Sequence, residues 1–437
     1  MDLIVCIVLM FAALLFTVWS GGQLFFATGF GLALFCIYAL RHGNSPRQLG
    51  AMLMVGVKKA LVVILVLLVI GMLTASWMLC GTIPYLVCLG MKLIHPRLFV
   101  LCAFLLCAAI SFLIGTAFGT ANTMGVVLMT IARGCGVSPA ITAGAILCGI
   151  YVGDRCSPMS SSLLLLSTLT GTDHYTNSSR TLRSCLAPLA LACLCYLPFS
   201  LANPMQGAVS DTAAALGESF RLGPVLLLPV AVMFLLCLCR VPMKKAMLGS
   251  IIAACAVALL VQGVSPLDLP RVLVLGFHLP EGTLAASLIH GGGISSMASG
   301  CLVVLTSCAL AGILEGTHAT ARFESTGREV GLGRYLRTTV TGILTGAIGC
   351  NQTMALVLTE SIRRGAYPDK DEFLQDLSFG GSLGPVLLPW CITVYIPMQS
   401  IGFAGLGYYP YQFWVFLMLL WRALIWAAHA RKSAKAA

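Results

Sequence analysis

Three adjoining segments carry the residues of this chain that could bind or exchange an ion. They are Gly115-Thr-Ala-Phe-Gly-Thr-Ala-Asn-Thr-Met-Gly125, the glycine-rich string from Gly144 to Gly153, and Asp154-Arg-Cys-Ser-Pro158. In a chain with 59% hydrophobic residues, glycine, proline, small hydroxyl residues and an aspartate share a segment where helices break inside protein and line a polar cavity. These segments therefore predict a polar site built from interrupted helices.

Asp154 is the residue best suited to exchange a proton. A carboxylate at membrane depth costs about 2.5–3.5 kcal/mol on insertion scales, and desolvation favours its neutral form, so it can gain or lose a proton near neutral pH. If a cation binds the ionised form and a proton the neutral form, the two compete for one site and countertransport follows. A fixed salt bridge to the adjacent Arg155 is the alternative interpretation.

Oxygen-bearing residues near these segments could complete the site. Hard cations such as sodium prefer hydroxyl, carbonyl and amide oxygens, and Pro158 frees backbone carbonyls because it prevents a regular helix. The serines could instead be helix N-caps, and the amides could tie broken helices together. The predicted ion-binding or substrate-binding residues are Asp154, Ser157, Ser160, Ser161, Thr120, Asn122, Thr123, Asn351, Gln352 and Thr353. Asp154 is the expected contact of transported Na⁺, and no cofactor is expected.

A further break is predicted at His290-Gly-Gly-Gly-Ile-Ser-Ser-Met297, which interrupts a long apolar stretch with three glycines. His290 could relay protons, although a histidine bonded to backbone at a helix break is an equal alternative. We consider His290 and Ser295 as a candidate gate or relay. Asp376 is a candidate second ionisable group, although the charged residues before it indicate the water boundary.

Membrane-spanning helices are the elements that must position these residues. Charged residues make up 9% of the 437, against roughly 25% in a soluble domain. Several apolar runs approach the ~20 residues that cross a bilayer as a helix; they lie near 3–19, 23–40, 60–80, 98–114, 184–202, 224–239, 246–263 and 405–428. The chain is therefore predicted to be an all-α polytopic membrane protein with about 10–12 transmembrane helices.

The charge distribution predicts topology. Lysine and arginine concentrate in the connections 41–59, 180–183, 240–245 and 322–337 and in the C-terminal tail, which should face the cytoplasm. Membrane topology therefore explains the net charge of +11. Nucleic-acid binding would need a basic face on a soluble module, and the sequence indicates no such module. The 19 cysteines form no Cys-x-x-Cys pair and lie mostly in apolar runs, which is typical of small buried residues.

The first motif recurs about 230 residues later. Gly119-Thr-Ala-Asn-Thr-Met-Gly-Val-Val-Leu-Met129 matches Gly349-Cys-Asn-Gln-Thr-Met-Ala-Leu-Val-Leu-Thr359 at glycine, threonine, methionine, valine and leucine. Helix parity from the basic connections gives the two copies opposite directions, which is the inverted-repeat design of secondary transporters. We predict a single domain, 1–437, with repeats at about 60–200 and 283–430 and with one re-entrant hairpin in each half.

These motifs resemble those of the NhaC-type sodium/proton antiporters of the ion-transporter superfamily. The likeness covers nearly the whole chain and rests on the 115–125 string, the Gly144-to-Ser160 string, Gly292-Gly-Ile-Ser-Ser-Met297, Cys350-Asn-Gln352 and Leu388-Pro-Trp390 in the family's order. It implies sodium–proton exchange at a bacterial inner membrane, with Asp154 as the family's motif aspartate. Ser161 stands where many members have a second aspartate, and Gln375-to-Gly381 departs from the family's acidic string, which puts stoichiometry and cargo in doubt.

Two transport hypotheses and one enzymatic hypothesis follow. The first is a Na⁺/H⁺ antiporter, and the second is a transporter of the same build for a small organic acid or amino acid coupled to Na⁺ or H⁺. The third, an intramembrane aspartyl hydrolase, needs a second carboxyl group facing Asp154, which the apolar runs do not offer. The expected partners are therefore the bilayer, Na⁺, H⁺ and an organic solute as the alternative cargo. A homodimer and a cytoplasmic C-terminus complete the prediction.

Overall fold

A computed structural model of the chain describes residues 3–20, 22–206, 209–239, 241–279, 285–286, 289, 291–317 and 329–436. The first half of these residues forms α1 (Leu3–Ser20), α2 (Leu24–Arg41), α3 (Pro46–Leu79), α4 (Thr82–Leu93), α5 (Phe99–Ile114), α6 (Ala117–Thr120), a π-helical segment (Ala121–Gly125), α7 (Val126–Gly134), α8 (Pro139–Cys156), α9 (Ser161–Thr170) and α10 (His174–Ala202). The second half forms α11 (Val209–Ser219), α12 (Leu228–Leu238), α13 (Met243–Val257), α14 (Asp268–Leu275), α15 (Gly293–Ser296), α16 (Ala298–Gly316), α17 (Gly331–Gly349), α18 (Gln352–Arg363), α19 (Lys370–Leu383), α20 (Ile392–Ser400) and α21 (Phe413–Ala436).

The all-α polytopic class is confirmed. Within the described ranges, seven helices are long and apolar enough to cross a membrane, or up to eight if the bent pair Lys370–Leu387 and Ile392–Ser400 forms one span. Several of them coincide with the apolar runs of the sequence because hydropathy decides membrane insertion. The shorter apolar helices, such as α4 and α9, are not counted among these seven or eight candidate spans. The count of 10–12 spans therefore stays a prediction.

Two units of five helical pieces have the same order. The first unit consists of α5, the stretch from α6 to α7, α8, α9 and α10, and the second consists of α17 to α21. In each unit the first helix packs in parallel against the third: Phe104 and Ser111 of α5 lie against Gly149 and Gly153 of α8. Thr339 and Ile343 of α17 lie against Gly380 and Gly384 in the same sense.

The last helices of the two units, α10 and α21, are antiparallel neighbours. Near the C-terminal end of α10, the Tyr196 hydroxyl donates to the Tyr411 carbonyl at 2.7 Å, and the Phe199 ring lies 5.3 Å from the ring of Phe413, where α21 begins. The antiparallel directions are those expected of oppositely inserted units, because a two-fold axis in the membrane plane reverses corresponding helices. Which short piece re-enters the membrane stays a prediction.

Each unit breaks between its first and second pieces by the same backbone device. Gly115 has φ of 76° and Cys350 has φ of 50°, and the next residues, Thr116 and Asn351, are extended N-caps. Their side chains accept hydrogen bonds from the backbone of Gly119 at 3.3 Å and Thr353 at 2.9 Å. Helix ends with internal partners are what a membrane interior demands.

This geometry corrects the register of the sequence repeat. The breaks make Gly115 equivalent to Cys350, whereas the side-chain pattern aligned Gly119 with Gly349. The two alignments differ by five residues. The first copy continues helically from Ala117 to Gly134 through the π segment, whereas the second runs only from Gln352 to Arg363. The pattern had matched a helix interior, Gly119–Met129, to a segment that contains a break, Gly349–Thr359, because similar side chains do not reveal where a left-handed residue ends a helix.

Glu329 joins the ends of two second-unit helices outside the membrane spans. Its carboxylate accepts hydrogen bonds from Arg363, at 3.1 Å and 2.5 Å, and from Arg337 at 3.0 Å. The hydrogen bonds from Arg363, followed by that from Arg337, lower the pKa of Glu329 from 4.5 to about 2. The ion pair therefore fastens the end of α18 to the start of α17.

We predict that Gly153→Ala destabilises the protein. A Cβ atom at position 153 would lie 1.9 Å from the Ser111 backbone, so α5 and α8 would have to separate, at a cost of about 2 kcal/mol or more. Gly29→Ala is the matched control, because nothing lies within 4 Å of its Cβ position in α2; it should stabilise by about 0.5–1 kcal/mol. Thermal unfolding in detergent measures both, and equal melting temperatures would contradict the packing argument.

A second prediction concerns acid stability. Because the folded pKa of Glu329 is depressed, its ion pair stabilises the fold above the ordinary glutamate pKa, and this contribution disappears as pH falls from 4.5 to about 2. Glu329→Gln should lower the melting temperature by about 3 °C at pH 7, and its difference from wild type should vanish across that window. The exposed Glu218→Gln is the control; a difference independent of pH would refute the assignment.

Candidate functional site

A cavity of about 530 Å³ lies where the broken helices of both units meet. One wall comes from α3 and α13 and is apolar apart from Lys244; it includes Val62, Val66 and Met247. The other wall is polar: the first unit contributes Thr116, Asp154, Ser161 and Ser162, and the second contributes Asn351, Gln352, Thr353 and Thr393. The two units therefore share one pocket, although they lie far apart in sequence.

Backbone breaks contact one another beside this cavity. Gly115, at the first break of its unit, packs on Met159 at the second break, where an added Cβ would lie 2.6 Å from backbone. In the other unit the Cys350 carbonyl accepts a hydrogen bond from the Ile392 N–H at 2.9 Å. Tyr151 bridges the units, because its hydroxyl donates to the Thr393 carbonyl. The interrupted segments are thus fixed in position, although they lack regular helical bonds.

Asp154 lies in the last turn of α8 and is 7% exposed. The Ser162 hydroxyl, the Gln352 side chain and the Ala117 backbone N–H lie against its carboxyl group, yet among the described residues Oδ2 has no hydrogen-bond partner within normal geometry. Ala117, Ser161 and Gln352 each begin a helix, so partial positive charges of helix N-termini face the carboxylate. Such neutral dipoles can stabilise the ionised carboxylate without forming a permanent ion pair with it.

Arg155 points away from Asp154. Its Nε donates to the Ser378 carbonyl at 3.4 Å, and its guanidinium lies 4.1 Å from the centre of the Phe379 ring. Among the ion pairs of the described residues, none includes Asp154. The fixed salt bridge between Asp154 and Arg155 is therefore not formed in this structure.

The serines after Asp154 divide between capping and cavity positions. Ser160 caps α9, since its hydroxyl accepts from the Leu163 N–H at 3.1 Å and donates to the Asp154 carbonyl. Ser157 is buried and its hydroxyl accepts from the Met159 N–H at 3.1 Å. Ser161 lines the cavity. The structure thus brings Ser161 to the carboxylate's cavity and gives Ser157 and Ser160 local bonds.

The predicted residues of the first motif lie further along the helix than the residues that line the Asp154 cavity. The Thr120 and Thr123 hydroxyls donate to carbonyls of their own helix, at 3.0 Å and 2.8 Å. Asn122 donates to the Phe118 carbonyl at 2.7 Å and lines a different cavity. Thr120, Asn122 and Thr123 are not among the described residues that line the Asp154 cavity, whereas Asn351, Gln352 and Thr353 are. This difference follows the five-residue shift between the two copies, because only the second trio directly follows a helix break.

The predicted gate residues lie in separate environments. His290 is outside the described residues, and the Ser295 hydroxyl donates to the Leu275 carbonyl at 3.1 Å. Asp376 is fully buried; it accepts from Arg422 at 2.7 Å, from Trp426 at 3.1 Å and from Tyr367 at 2.9 Å. It is not among the residues lining the Asp154 cavity, so it offers no facing carboxyl of the kind that aspartyl hydrolysis needs.

Sequence reasoning missed five polar residues of the cavity: Thr116, Tyr151, Ser162, Lys244 and Thr393. Ser162 directly follows the predicted Ser160 and Ser161 in the sequence. Thr116 could have been found as the first cap-forming residue after Gly115, since threonine at that position is an N-cap signal. Lys244 and Thr393 had no local signal, because only packing brings α13 and α20 to the cavity.

The resulting site can bind a hard cation and can exchange a proton. One carboxylate and several hydroxyl and amide oxygens suit sodium, which prefers oxygen ligands. Among the described residues no group of three or more histidine, cysteine or acidic side chains is placed to hold a metal ion.

Comparison with known proteins gives the family. The family model described as the Na⁺/H⁺ antiporter family matches residues 1–197 and 149–423. An uncharacterised Na⁺/H⁺ antiporter of Haemophilus influenzae is 27% identical over 85% of this chain and 82% of its own. A malate-2H⁺/Na⁺-lactate antiporter of Bacillus subtilis is 25% identical over 89% and 86%, and the Na⁺/H⁺ antiporter NhaC of Alkalihalophilus pseudofirmus is 26% identical over 83% and 81%. The predicted resemblance to NhaC-type antiporters is thereby confirmed, and the chain belongs to the Na⁺/H⁺ antiporter family.

Proposed function

We propose that this multi-pass membrane protein exchanges Na⁺ for H⁺, with both ions competing for Asp154. The observation that carries the proposal is the placement of this carboxyl group: it is buried, it has no cationic partner among the described residues, and it lies in a cavity contributed by both units. Membership of the Na⁺/H⁺ antiporter family supports the choice of ions.

Exchange follows from the two charge states of Asp154. The ionised carboxylate binds Na⁺ together with hydroxyl and amide oxygens from Ser162 and Gln352, and the Na⁺–carboxylate pair is neutral. When a proton binds instead, the neutral acid has no charge to hold sodium, so Na⁺ leaves. Either neutral form can pass through the low-dielectric interior, whereas the bare carboxylate is costly there. Competition for one carboxylate therefore couples the movement of Na⁺ in one direction to the movement of H⁺ in the other, and it needs no bound cofactor.

Asp154→Asn should abolish exchange. In everted vesicles with a preset pH gradient, Na⁺ added to wild type should dissipate the gradient, whereas the variant should give no signal because its amide cannot carry the proton. Asp371→Asn is the matched control, since Asp371 is half-exposed in a surface pair with Arg180 and should retain the signal. Sodium-evoked dissipation that survives Asp154→Asn would reject the proposal.

Substitution of two neighbouring serines distinguishes a role in ion binding from a role in helix capping. Ser162→Ala should raise the KM for Na⁺ by about fivefold, as expected for one lost oxygen contact, with an unchanged melting temperature. Ser160→Ala should instead lower stability by about 1 kcal/mol, because it removes the cap of α9. Vesicle kinetics and thermal unfolding of both variants give the comparison. The reverse pattern would place the ion elsewhere.

An organic cargo is the second candidate. The cavity of about 530 Å³ is large beside the ≈30 Å³ that one water occupies, and Lys244 in its wall is a cation that a carboxylate could approach. The relative named as a malate-2H⁺/Na⁺-lactate antiporter gives this observation weight. Vesicle assays with a panel of organic acids and amino acids distinguish the two, because Na⁺/H⁺ exchange proceeds without any organic solute.

The cellular setting is part of the proposal. We place the protein in a bacterial inner membrane with its C-terminus in the cytoplasm, because the basic connections and the basic tail should lie on that side. A homodimer is the proposed assembly. Much of the surface of α1 is apolar and not buried within the chain, and lipid or a second copy would cover it.

A further inference from the structure

A second cavity, of about 300 Å³, lies on the other side of the broken helices from Asp154. Its polar lining comes from α3, the π segment with α7, the end of α15 and the end of α20: Thr74, Asn122, Thr130, Arg133, Ser296, Gln399 and Ser400. It extends toward the end of α7, where the Cys135 carbonyl accepts from the Gln206 N–H at 2.9 Å. Gln206 follows α10, whose opposite end carries the basic residues at 180–183 that are predicted to face the cytoplasm.

One helical turn separates the two cavities. On α3, Ile70 lines the Asp154 cavity and Thr74 lines the second; along the first motif, Phe118 lines the former and Asn122 the latter. Four helical residues correspond to about 6 Å. The second cavity is thus a separate compartment, and the π segment, an element frequent at functional sites, begins at this partition.

Two amide side chains in the lining of the second cavity have oxygens without donors. Asn122 is 1% exposed, and its Nδ2 donates to the Phe118 carbonyl at 2.7 Å; the Gln399 Nε2 donates to the Ser296 carbonyl at 3.0 Å. Because these carbonyls can only accept, the amide orientations are fixed. Within the described part of the chain no donor reaches Asn122 Oδ1 or Gln399 Oε1. Buried acceptors without partners are costly unless a donor or cation reaches them.

The charge of the lining limits the affinity of any cation. No carboxylate is among the described lining residues, and the one cationic side chain there is Arg133. Arg133 is held by the Gly402 carbonyl at 2.6 Å and the Ile401 carbonyl at 3.3 Å. It lies eleven residues from Asn122, about 16 Å along the helix, and these two carbonyls accept from its guanidinium.

We propose that this second cavity is a low-affinity station for a monovalent hard cation, sodium in particular, with Asn122 Oδ1 and Gln399 Oε1 as its ligands. Neutral amide oxygens suit sodium, and without a carboxylate they release it readily. The station takes the ion on the side of the partition opposite Asp154. The identity of the ion as cargo rests on the proposed function, whereas its binding here can be measured separately.

The test uses the purified full-length chain and Na⁺ alone, with sodium-23 NMR line broadening as the readout of weak binding. In the Asp154→Asn background, which removes the carboxylate site, a Na⁺-dependent component should persist and should not depend on pH. Adding Asn122→Leu and Gln399→Leu together should weaken that component by about tenfold or more. Asn122→Asp in the same background should tighten it, because added ligand charge raises cation affinity.

Asn203→Leu is the matched control, because Asn203 also donates to the carbonyl four residues back, Phe199, at 3.0 Å, but is not among the lining residues of either cavity. It should leave the residual component unchanged. Residual binding that is unaffected by all changes at Asn122 and Gln399, or its absence from a folded Asp154→Asn protein, would overturn the station. By contrast, wild-type binding that Asp154→Asn leaves fully intact would count against the proposed site at Asp154.

Discussion

The structure depends on the rule that a backbone group inside a membrane must find its hydrogen-bond partner within the protein. Each unit breaks its helices twice, and the two breaks of a unit meet: Gly115 packs on Met159, and the Cys350 carbonyl accepts a hydrogen bond from the Ile392 N–H. Glycine at 115 is required twice over, by its positive φ and by the lack of room for a Cβ. These contacts produce a rigid crossing in the interior instead of a set of frayed ends.

Asp154 gains its properties from that crossing. A carboxylate paired with arginine would stay ionised and would have little reason to exchange its proton. Here the adjacent guanidinium lies over Phe379 instead, and the carboxyl group faces helix N-termini and neutral side chains such as Ser162 and Gln352. Asp376 illustrates the opposite case, since Arg422, Trp426 and Tyr367 occupy its oxygens. Two buried aspartates thus differ in role because their partners differ.

The two cavities give this arrangement a direction. One holds the carboxylate, the other holds unpartnered amide oxygens, and one helical turn lies between them. The π segment, which the first motif contains and the described second copy does not, lies beside this partition and is one difference between two otherwise similar units.

The sequence by itself determined the helical membrane class, the positions of most long helices and the family, and it singled out Asp154 as a candidate, because hydropathy, glycine and proline breaks and a carboxylate beside an apolar run are local signals. It also indicated that Asn351 and Gln352 would meet the first half. Only the tertiary structure decided the register of the repeat, the separation of Asn122 from Asp154, the pairing of Asp376 and the presence of Thr393 and Lys244 in the cavity. The physical reason is that a break depends on backbone conformation and on what packs against it, and contacts between helices hundreds of residues apart leave no trace in local composition.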